Sequence, residues 1–197
     1  MTSLVYLHGF RSSPASIKAA RLRDYVAAMP EATRPVLHVP ELSHQPADAI
    51  AGVVAWVERN ADASSLAFVG SSLGGFYAAH LAERFGARAV AINPAVRPYV
   101  DLQAWRGTQT NLYSGESFTV TQRHFDELEA IAVARITRRE RYFLLVETGD
   151  EVLDYREAVA YYGGAYQYVR GGGDHTFTEF VVQIPAILRF ARVETTP

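Results

Sequence analysis

The 197-residue chain contains no cysteine. It can therefore form no disulfide, no thiolate metal site and no cysteine nucleophile. No apolar run approaches the roughly 18 residues that a membrane span needs. The segment that leads into His8 lacks the basic start and extended apolar stretch of a cleavable signal. We therefore expect a cytoplasmic protein that does not associate with membranes.

Strong charge of either sign is also lacking. The formal net charge is −2, from 19 Lys and Arg against 21 Asp and Glu, and the two signs are interspersed. No basic face or arm indicates a nucleic-acid partner. With 49% hydrophobic residues, the chain is typical of a globular protein, and its length fits one domain over residues 1–197. The oligomeric state is left open.

Short apolar runs alternate with helical patterns along the chain, which is typical of a parallel α/β sheet. The predicted strands lie at about 4–7, 36–39, 66–69, 89–92, 142–146 and 166–169. The predicted helices lie at about 14–29, 47–60, 73–85, 155–161 and from 177 onwards. Ser13-Pro14 has the form of an N-cap followed by a helical first residue. Pro185 should kink or interrupt the last helix.

Residues 96–139 are the one long break in this alternation. The segment carries several aromatic residues among polar ones, and its second half, about 121–135, has a helical pattern. We interpret it as a small cap-like insertion over the C-terminal edge of the sheet. The alternative is a crossover helix with a long loop.

The sequence Gly70-Ser71-Ser72-Leu73-Gly74 matches the pattern G-x-S-x-G. It follows a predicted strand and opens a predicted helix, as a nucleophile elbow must. Gly70 and Gly74 would prevent clashes between that strand and that helix. Ser72 is therefore the predicted nucleophile, and Ser71 lacks glycines at the required offsets. The alternative is a phosphate-binding turn, although no P-loop or dinucleotide pattern is present.

A serine hydroxyl needs a base, and histidine is the usual one. In an elbow-containing hydrolase the acid and then the histidine follow the serine. His80 lies too far along the helix that Ser72 opens, and His124 lies in the insertion, where we expect it to be solvated. His175 follows the last strand in a glycine-rich loop and is the predicted base.

The acid should orient the histidine and stabilise its charged form. Asp150 directly follows the fifth predicted strand, and we predict that it is this acid. Glu151 and Asp154 are neighbours, with Asp154 a possible N-cap of the next helix. Asp174 adjoins His175 and is better suited to shape its loop.

Acyl transfer also requires N–H donors for the developing oxyanion. One predicted donor is the amide of Leu73, which follows the nucleophile. The other is the amide of Phe10, in the loop after the first strand. Gly9 would let that loop approach closely, and His8 is predicted to support it from a buried position.

Several segments of the chain resemble the motifs of the YqiA-like esterases, a small α/β-hydrolase family. The matching segments are Tyr6-Leu7-His8-Gly9-Phe10 with Ser12-Ser13-Pro14, Val69-Gly70-Ser71-Ser72-Leu73-Gly74-Gly75, Asn93-Pro94-Ala95-Val96-Arg97-Pro98, Thr148-Gly149-Asp150-Glu151-Val152-Leu153-Asp154-Tyr155-Arg156, and Gly172-Gly173-Asp174-His175 with Phe177. The resemblance implies a triad of Ser72, Asp150 and His175 and esterase activity that can include acyl-CoA thioesters. The glycine run at 171–173 is longer than expected for the family.

The sequence thus predicts a three-layer αβα sandwich with the α/β-hydrolase fold and a mostly parallel sheet of about six strands in the order 2-1-3-4-5-6. The predicted function is hydrolysis of a small-molecule carboxylic ester or acyl thioester through the triad. A peptidase or acyl transferase with the same triad, and a binding protein without catalysis, are the alternatives. No metal or organic cofactor is expected, because His38 and His44 lack acidic partners.

Overall fold

A computed structural model describes residues 2–193. Its strands are β1 (Ser3–Leu7), β2 (Val36–His38), β3 (Leu66–Ser71), β4 (Arg88–Ile92), β5 (Gly107–Thr110), β6 (Ser117–Val120), β7 (Tyr142–Glu147) and β8 (Tyr166–Arg170). Six of them form one sheet in the order β2-β1-β3-β4-β7-β8, and every pairing is parallel. Counted within that sheet alone, the order is the predicted 2-1-3-4-5-6. The labels differ because β5 and β6, which were not predicted, form a separate hairpin.

Helices cover both faces of the sheet. They are α1 (Ile17–Ala27), α2 (Pro46–Asn60), α3 (Leu73–Phe85), α4 (Pro98–Asp101), α5 (Gln122–Ala130), α6 (Tyr155–Tyr161) and α7 (Phe180–Phe190). Successive residues of a strand point to opposite faces, so the strands contribute to two cores. One core joins the sheet to α1 and α7, and the other joins it to α2, α3 and α6. The predicted three-layer αβα class is confirmed.

The start of α1 differs from the prediction by three residues. The Ser13 hydroxyl accepts a hydrogen bond from the Ala15 amide at 3.0 Å, so Ser13-Pro14 forms a turn before the helix. Ser16 occupies the N-cap position instead, and Ile17 is the first helical residue.

The last helix begins three residues later than predicted. Phe177 has a positive φ of 59°, which excludes it from a right-handed helix, and α7 begins only at Phe180. Pro185 lies within α7 without interrupting it. Proline removes one backbone hydrogen bond, but Ile184, Ile187 and Leu188 are fully buried against the sheet and hold the helix in place.

The segment between β4 and β7, which we call the insertion (residues 96–139), contains α4, the β5–β6 hairpin and α5. The helix predicted at 121–135 is present as α5 but ends at Ala130. The hairpin was missed because each strand has only four residues and is largely exposed, which leaves little hydrophobic alternation to detect. Within residues 2–193, no helix is long and apolar enough to cross a bilayer.

Candidate active site

The turn between β3 and α3 holds Ser72 in a strained conformation, with φ 57° and ψ −123°. This is the strained conformation of a serine at a sharp strand-to-helix turn. A Cβ on Gly70 would overlap the Gly74 carbonyl, and a Cβ on Gly74 would overlap the Leu7 carbonyl. Glycine at both positions therefore lets the backbone close beneath the serine, as the motif predicted.

A hydrogen-bonded chain runs from this serine to a carboxylate. Ser72 Oγ lies 3.1 Å from His175 Nε2, and His175 Nδ1 lies 2.9 and 2.8 Å from the two oxygens of Asp150. A carboxylate only accepts hydrogen bonds, so Nδ1–H donates to Asp150 and Nε2 is left to accept from the serine hydroxyl. The structure therefore brings together the three side chains that the sequence singled out.

Asp150 is fixed in this orientation by its own loop. Its side chain is 2% exposed, and its Oδ1 accepts hydrogen bonds from the amides of Val152 and Leu153, each at 2.9 Å. These bonds direct the carboxylate towards the imidazole before any substrate is bound.

The other carboxylates near this edge have different partners. Asp154 caps α6 by accepting from the Arg156 amide at 2.9 Å, and Asp174 accepts from the Thr176 amide at 2.8 Å. Glu151 accepts from the backbone amide of His175 at 3.0 Å. All three shape loops, which leaves Asp150 as the partner of the imidazole.

Two backbone amides next to Ser72 lack an acceptor. Neither the Phe10 nor the Leu73 N–H donates a hydrogen bond to any residue within 2–193. Leu73 is the first residue of α3, where N–H groups have no partner within the helix. Gly9 lies directly against the serine, since a Cβ there would be 3.2 Å from Ser72 Cβ. The site thus offers two free donors beside the serine.

His8 supports this loop from below. It is 3% exposed, its Nδ1 donates to the Gly9 carbonyl at 3.1 Å, and its Nε2 accepts from the Leu42 amide at 3.4 Å. Burial lowers the pKa of His8 despite the bond to Gly9, which favours the neutral ring that this bonding requires.

Glu147, at the end of β7, was not found from the sequence. Its side chain is 0% exposed and accepts hydrogen bonds from the Asp174 amide at 2.9 Å, the Thr178 amide at 3.0 Å and hydroxyl at 2.7 Å, and the Glu179 amide at 3.3 Å. Arg170 adds an ion pair at 3.0 Å. Burial by itself would raise the pKa of Glu147, but the bonds from Thr178, Asp174 and Glu179 outweigh it and lower that pKa.

Asn93, at the end of β4, was also missed as a site residue. It is 2% exposed, its amide donates to the carbonyls of Asp174 at 3.0 Å and His175 at 3.3 Å, and its Oδ1 accepts from the Glu147 amide at 3.0 Å. Its place in the Asn93-Pro94 motif after a central strand was the available signal. Glu147 and Asn93 together hold the loop of residues 171–179, which we call the histidine loop.

The last glycine of the run 171–173 has a structural reason. Gly173 has a positive φ of 73°, and a Cβ at this position would overlap the Glu147 carboxylate. The loop therefore needs glycine for close contact with Glu147, and it holds His175 in a defined position.

The remaining histidines lie outside the hydrogen-bonded chain. His80 Nδ1 donates to the Ile131 carbonyl at 3.0 Å. The expectation that His124 is solvated was wrong, because it is 5% exposed and its Nε2 lies 3.2 Å from Nδ1 of His44. The two rings join the insertion to the loop before α2. Among residues 2–193, no three His, Asp or Glu side chains are grouped to hold a metal ion.

Two cavities meet at the loop of Gly9 and Phe10. The catalytic pocket, of about 420 Å³, is lined by Ser72 and His175 and by residues of α1, α7 and the hairpin turn. The second pocket, of about 240 Å³, lies on the other side of Phe10 and is lined by Leu73 and Tyr77. The two cavities thus share the loop whose Gly9 lies against Ser72.

The sheet order, the elbow at Ser72 and the loops at the strand ends define the α/β-hydrolase fold. The chain matches the model of the family described as "Uncharacterised protein family (UPF0227)" over residues 3–192. It belongs to this family, which is the YqiA-like family that its motifs resemble.

Solved structures with the same fold cover nearly the whole chain. A protein from Agrobacterium vitis S4 that is described as a hydrolase has a TM-score of 0.77 at 18% identity, over 98% of this chain and 88% of that one. Mouse alpha/beta hydrolase domain-containing protein 10 has a TM-score of 0.74 at 16% identity, over 96% and 89%. The monoacylglycerol lipase of Paleococcus ferrophilus has a TM-score of 0.68 at 14% identity, over 98% and 96%. At these identities the likenesses establish the fold.

Proposed function

We propose that this protein is a serine hydrolase that cleaves carboxylic esters or acyl thioesters of small molecules. The observation that carries the proposal is the continuous chain from Ser72 through His175 to Asp150, next to two unpaired amides. Serine, base and orienting carboxylate in this relation are the requirements of nucleophilic acyl transfer. A structural neighbour named as a lipase supports the same class of reaction.

In the first half of the reaction, Ser72 Oγ attacks the acyl carbon while its proton passes to His175 Nε2. The carbonyl electrons move onto oxygen, where the Phe10 and Leu73 amides stabilise the negative charge. The intermediate then expels the alcohol or thiol, which takes the proton from Nε2. Ser72 is left acylated.

In the second half, water takes the place of the leaving group. His175 Nε2 accepts a proton from the water as it attacks the acyl carbon, and it returns that proton to Ser72 Oγ when the carboxylic acid departs. Asp150 stays hydrogen-bonded to Nδ1 throughout and stabilises the charged imidazole. The cycle needs no cofactor.

Covalent labelling with a fluorophosphonate probe tests the nucleophile directly. We expect the wild-type protein to be labelled and Ser72→Ala to be unlabelled. Ser71→Ala is the matched control, because Ser71 adjoins Ser72 in the chain and, within the described residues, forms no hydrogen bond with the His175 side chain; it should be labelled like the wild type.

Kinetics on an activated ester give the size of the effect. Ser72→Ala should lower kcat by on the order of 10⁵–10⁶, as in other triads, and Asp150→Asn should lower it by about 10⁴. Near-normal turnover by Ser72→Ala would overturn the proposal. Absence of labelling in the wild type would favour a binding protein, and faster cleavage of peptides than of esters or thioesters would favour a peptidase.

A further inference from the structure

Two cations on α1 line the same cavity as the nucleophile. Lys18 and Arg21, three residues apart, both face the catalytic pocket, which also contains Ser72 and His175. Residues three apart on a helix share one face, so the two positive groups lie together. The reaction proposed above uses neither of them.

Neither cation has a carboxylate partner within residues 2–193. Arg21 forms no ion pair or side-chain hydrogen bond there, and the Lys18 ammonium donates only to the Thr176 carbonyl, at 2.7 Å. Burial lowers the pKa of Lys18 to about 8, although the more distant charges of Asp174 and Asp150 act to raise it. An anion in the pocket would add to the partial compensation that these carboxylates give Lys18.

The N-terminus of α1 adds to this positive character. Ser16, at the N-cap, also lines the pocket, and its side chain does not cap the helix, whose first turn contains no acidic residue. Ser16 is 7% exposed, and its hydroxyl has no hydrogen-bond partner within the described part of the chain. Free N–H groups at a helix start favour negative charge.

The second pocket has the opposite character. Its lining includes two glutamates, Glu41 and Glu116, against one arginine, Arg11, and burial, together with the charge of Glu116, raises the pKa of Glu41. A negatively charged part of a substrate would be repelled there. The two cavities that meet at Phe10 therefore differ in the charge they accept.

We propose that the catalytic pocket selects esters that carry an anionic group, a carboxylate or a phosphate, which binds to Lys18 and Arg21. This inference rests on the proposed esterase function and adds the class of substrate. Ile17, Leu112, Tyr113 and Val181 also line the pocket, so the anion is joined to the ester by an apolar chain.

Pairs of esters that differ only in charge test the proposal. In one pair, p-nitrophenyl esters of equal acyl length end in a carboxylate or in a methyl group. In the other pair, butyrate esters of one alcohol carry or lack a phosphate on the alcohol. We expect kcat/KM to be at least 10-fold higher for the charged member of one pair, and the pair that responds identifies the anion and its side of the ester. Equal values within both pairs would overturn the proposal.

Two variants connect that preference to the cations. Arg21→Gln and Lys18→Gln should each reduce the ratio of charged to neutral kcat/KM by at least 5-fold, and glutamine at 18 keeps an N–H donor for the Thr176 carbonyl. Arg23→Gln, on the same helix and exposed like Arg21 but outside the pocket, is the control with the same charge change. A ratio that falls equally in Arg23→Gln, or in none of the three, would contradict the proposal.

A binding measurement separates this proposal from the esterase function. The Ser72→Ala variant can be titrated by calorimetry, without turnover, with the free dicarboxylate that corresponds to the acyl group of the carboxylate-ended ester. We expect this dicarboxylate to bind, and we expect the added substitution Arg21→Gln to abolish the binding. Such binding in a protein that cleaves no ester would refute the esterase function and uphold the anion site. Ser72-dependent cleavage of neutral esters, without charge preference or dicarboxylate binding, would refute only the anion site.

Discussion

The histidine loop and the insertion lie near the same edge of the sheet but are held in different ways. The histidine loop is organised around a fully buried carboxylate, Glu147. In the insertion, β5 and β6 pair only with each other, and Leu112 at the turn between them is 69% exposed. The histidine loop is therefore bonded to the buried interior, whereas the hairpin of the insertion adds no strand to the main sheet.

The two halves of the insertion are attached differently. The hairpin is tied to the loop of Phe10, because the Leu112 amide donates to the Arg11 carbonyl at 2.9 Å and Phe118 packs edge-to-face against Phe10 with ring centroids 5.9 Å apart. The hairpin strands themselves are largely exposed. The half that contains α5 joins the core through Leu128, which is 2% exposed.

The histidine loop and the insertion would meet different requirements of the proposed reaction. The proton transfer that we propose between Ser72 and His175, with Asp150 holding the imidazole, depends on distances of about 3 Å, so its supports must be rigid. Contact with the variable part of a substrate tolerates movement, and loops of low local stability serve this purpose in many proteins. We therefore expect changes in the histidine loop to affect stability and kcat, and changes in the insertion to affect KM.

The largest effect should follow from Glu147→Ala. It leaves the amides of Asp174 and Thr178 without an acceptor and removes one of the two ion pairs of Arg170, so unfolding free energy should fall by about 2–4 kcal/mol, with a loss of kcat. Chemical denaturation and ester turnover measure the two. Glu157→Ala, which removes an exposed ion pair with Arg97, is the control and should cost less than about 1 kcal/mol.

The pH dependence of this effect has a defined sign. Because the pKa of Glu147 is lowered in the folded protein, its stabilisation is present above the ordinary glutamate pKa, about 4.3, and is lost as the pH falls through the lowered value. The difference between the wild type and Glu147→Gln should therefore shrink in acid. A difference that grows in acid would contradict the assigned hydrogen bonds.

Asn93→Gly should have a smaller effect of about 1–3 kcal/mol on unfolding. Glycine tolerates the φ of 39° at this position, so the variant isolates the side-chain bonds to the histidine loop. We expect kcat to fall more than KM rises. A fall in stability with normal kcat would mean that Asn93 does not position His175.

Mild acid should loosen the insertion before the histidine loop. Burial, and then the neighbouring His44, lower the pKa of His124, and Glu127 opposes this only in part. A detached His124 would bind a proton more readily, so detachment is favoured as the pH falls below about 6.5. Amide exchange in α5, corrected for its intrinsic pH dependence, should rise between pH 7 and 5.5.

The matched variant for this prediction is His124→Gln. Glutamine can accept from the Thr121 amide, as His124 does at 3.1 Å, and it suits this position of a capping box, but it does not titrate. The rise in exchange should disappear in this variant. Its persistence would assign the effect to another group.

The smallest effect should come from Leu112→Ala. Because this side chain is mostly exposed, unfolding free energy should change by no more than about 0.5 kcal/mol. Leu112 lines the catalytic pocket, so KM for longer acyl chains should rise by roughly 2- to 5-fold if one apolar contact is lost. An unchanged KM across acyl lengths would mean that the insertion does not contact the substrate.

The sequence predicted those features whose causes are local. The elbow at Ser72 depends on residues within two positions of it, and Asp150 and His175 were placed by the order in which the acid and the histidine follow the serine in this fold. Glu147 and Asn93 could not be found in this way, because no motif assigns them their partners in the histidine loop. The β5–β6 hairpin escaped notice because its short, exposed strands bury too little to leave a pattern.

The backbone at Ser72 has a consequence for evolution. A non-glycine residue with this conformation costs on the order of 1–3 kcal/mol, a cost that glycine would largely avoid. Selection for folding and selection for turnover therefore act in opposite directions at this codon. A gene copy released from the need for turnover would gain a more durable protein by changing its serine to glycine.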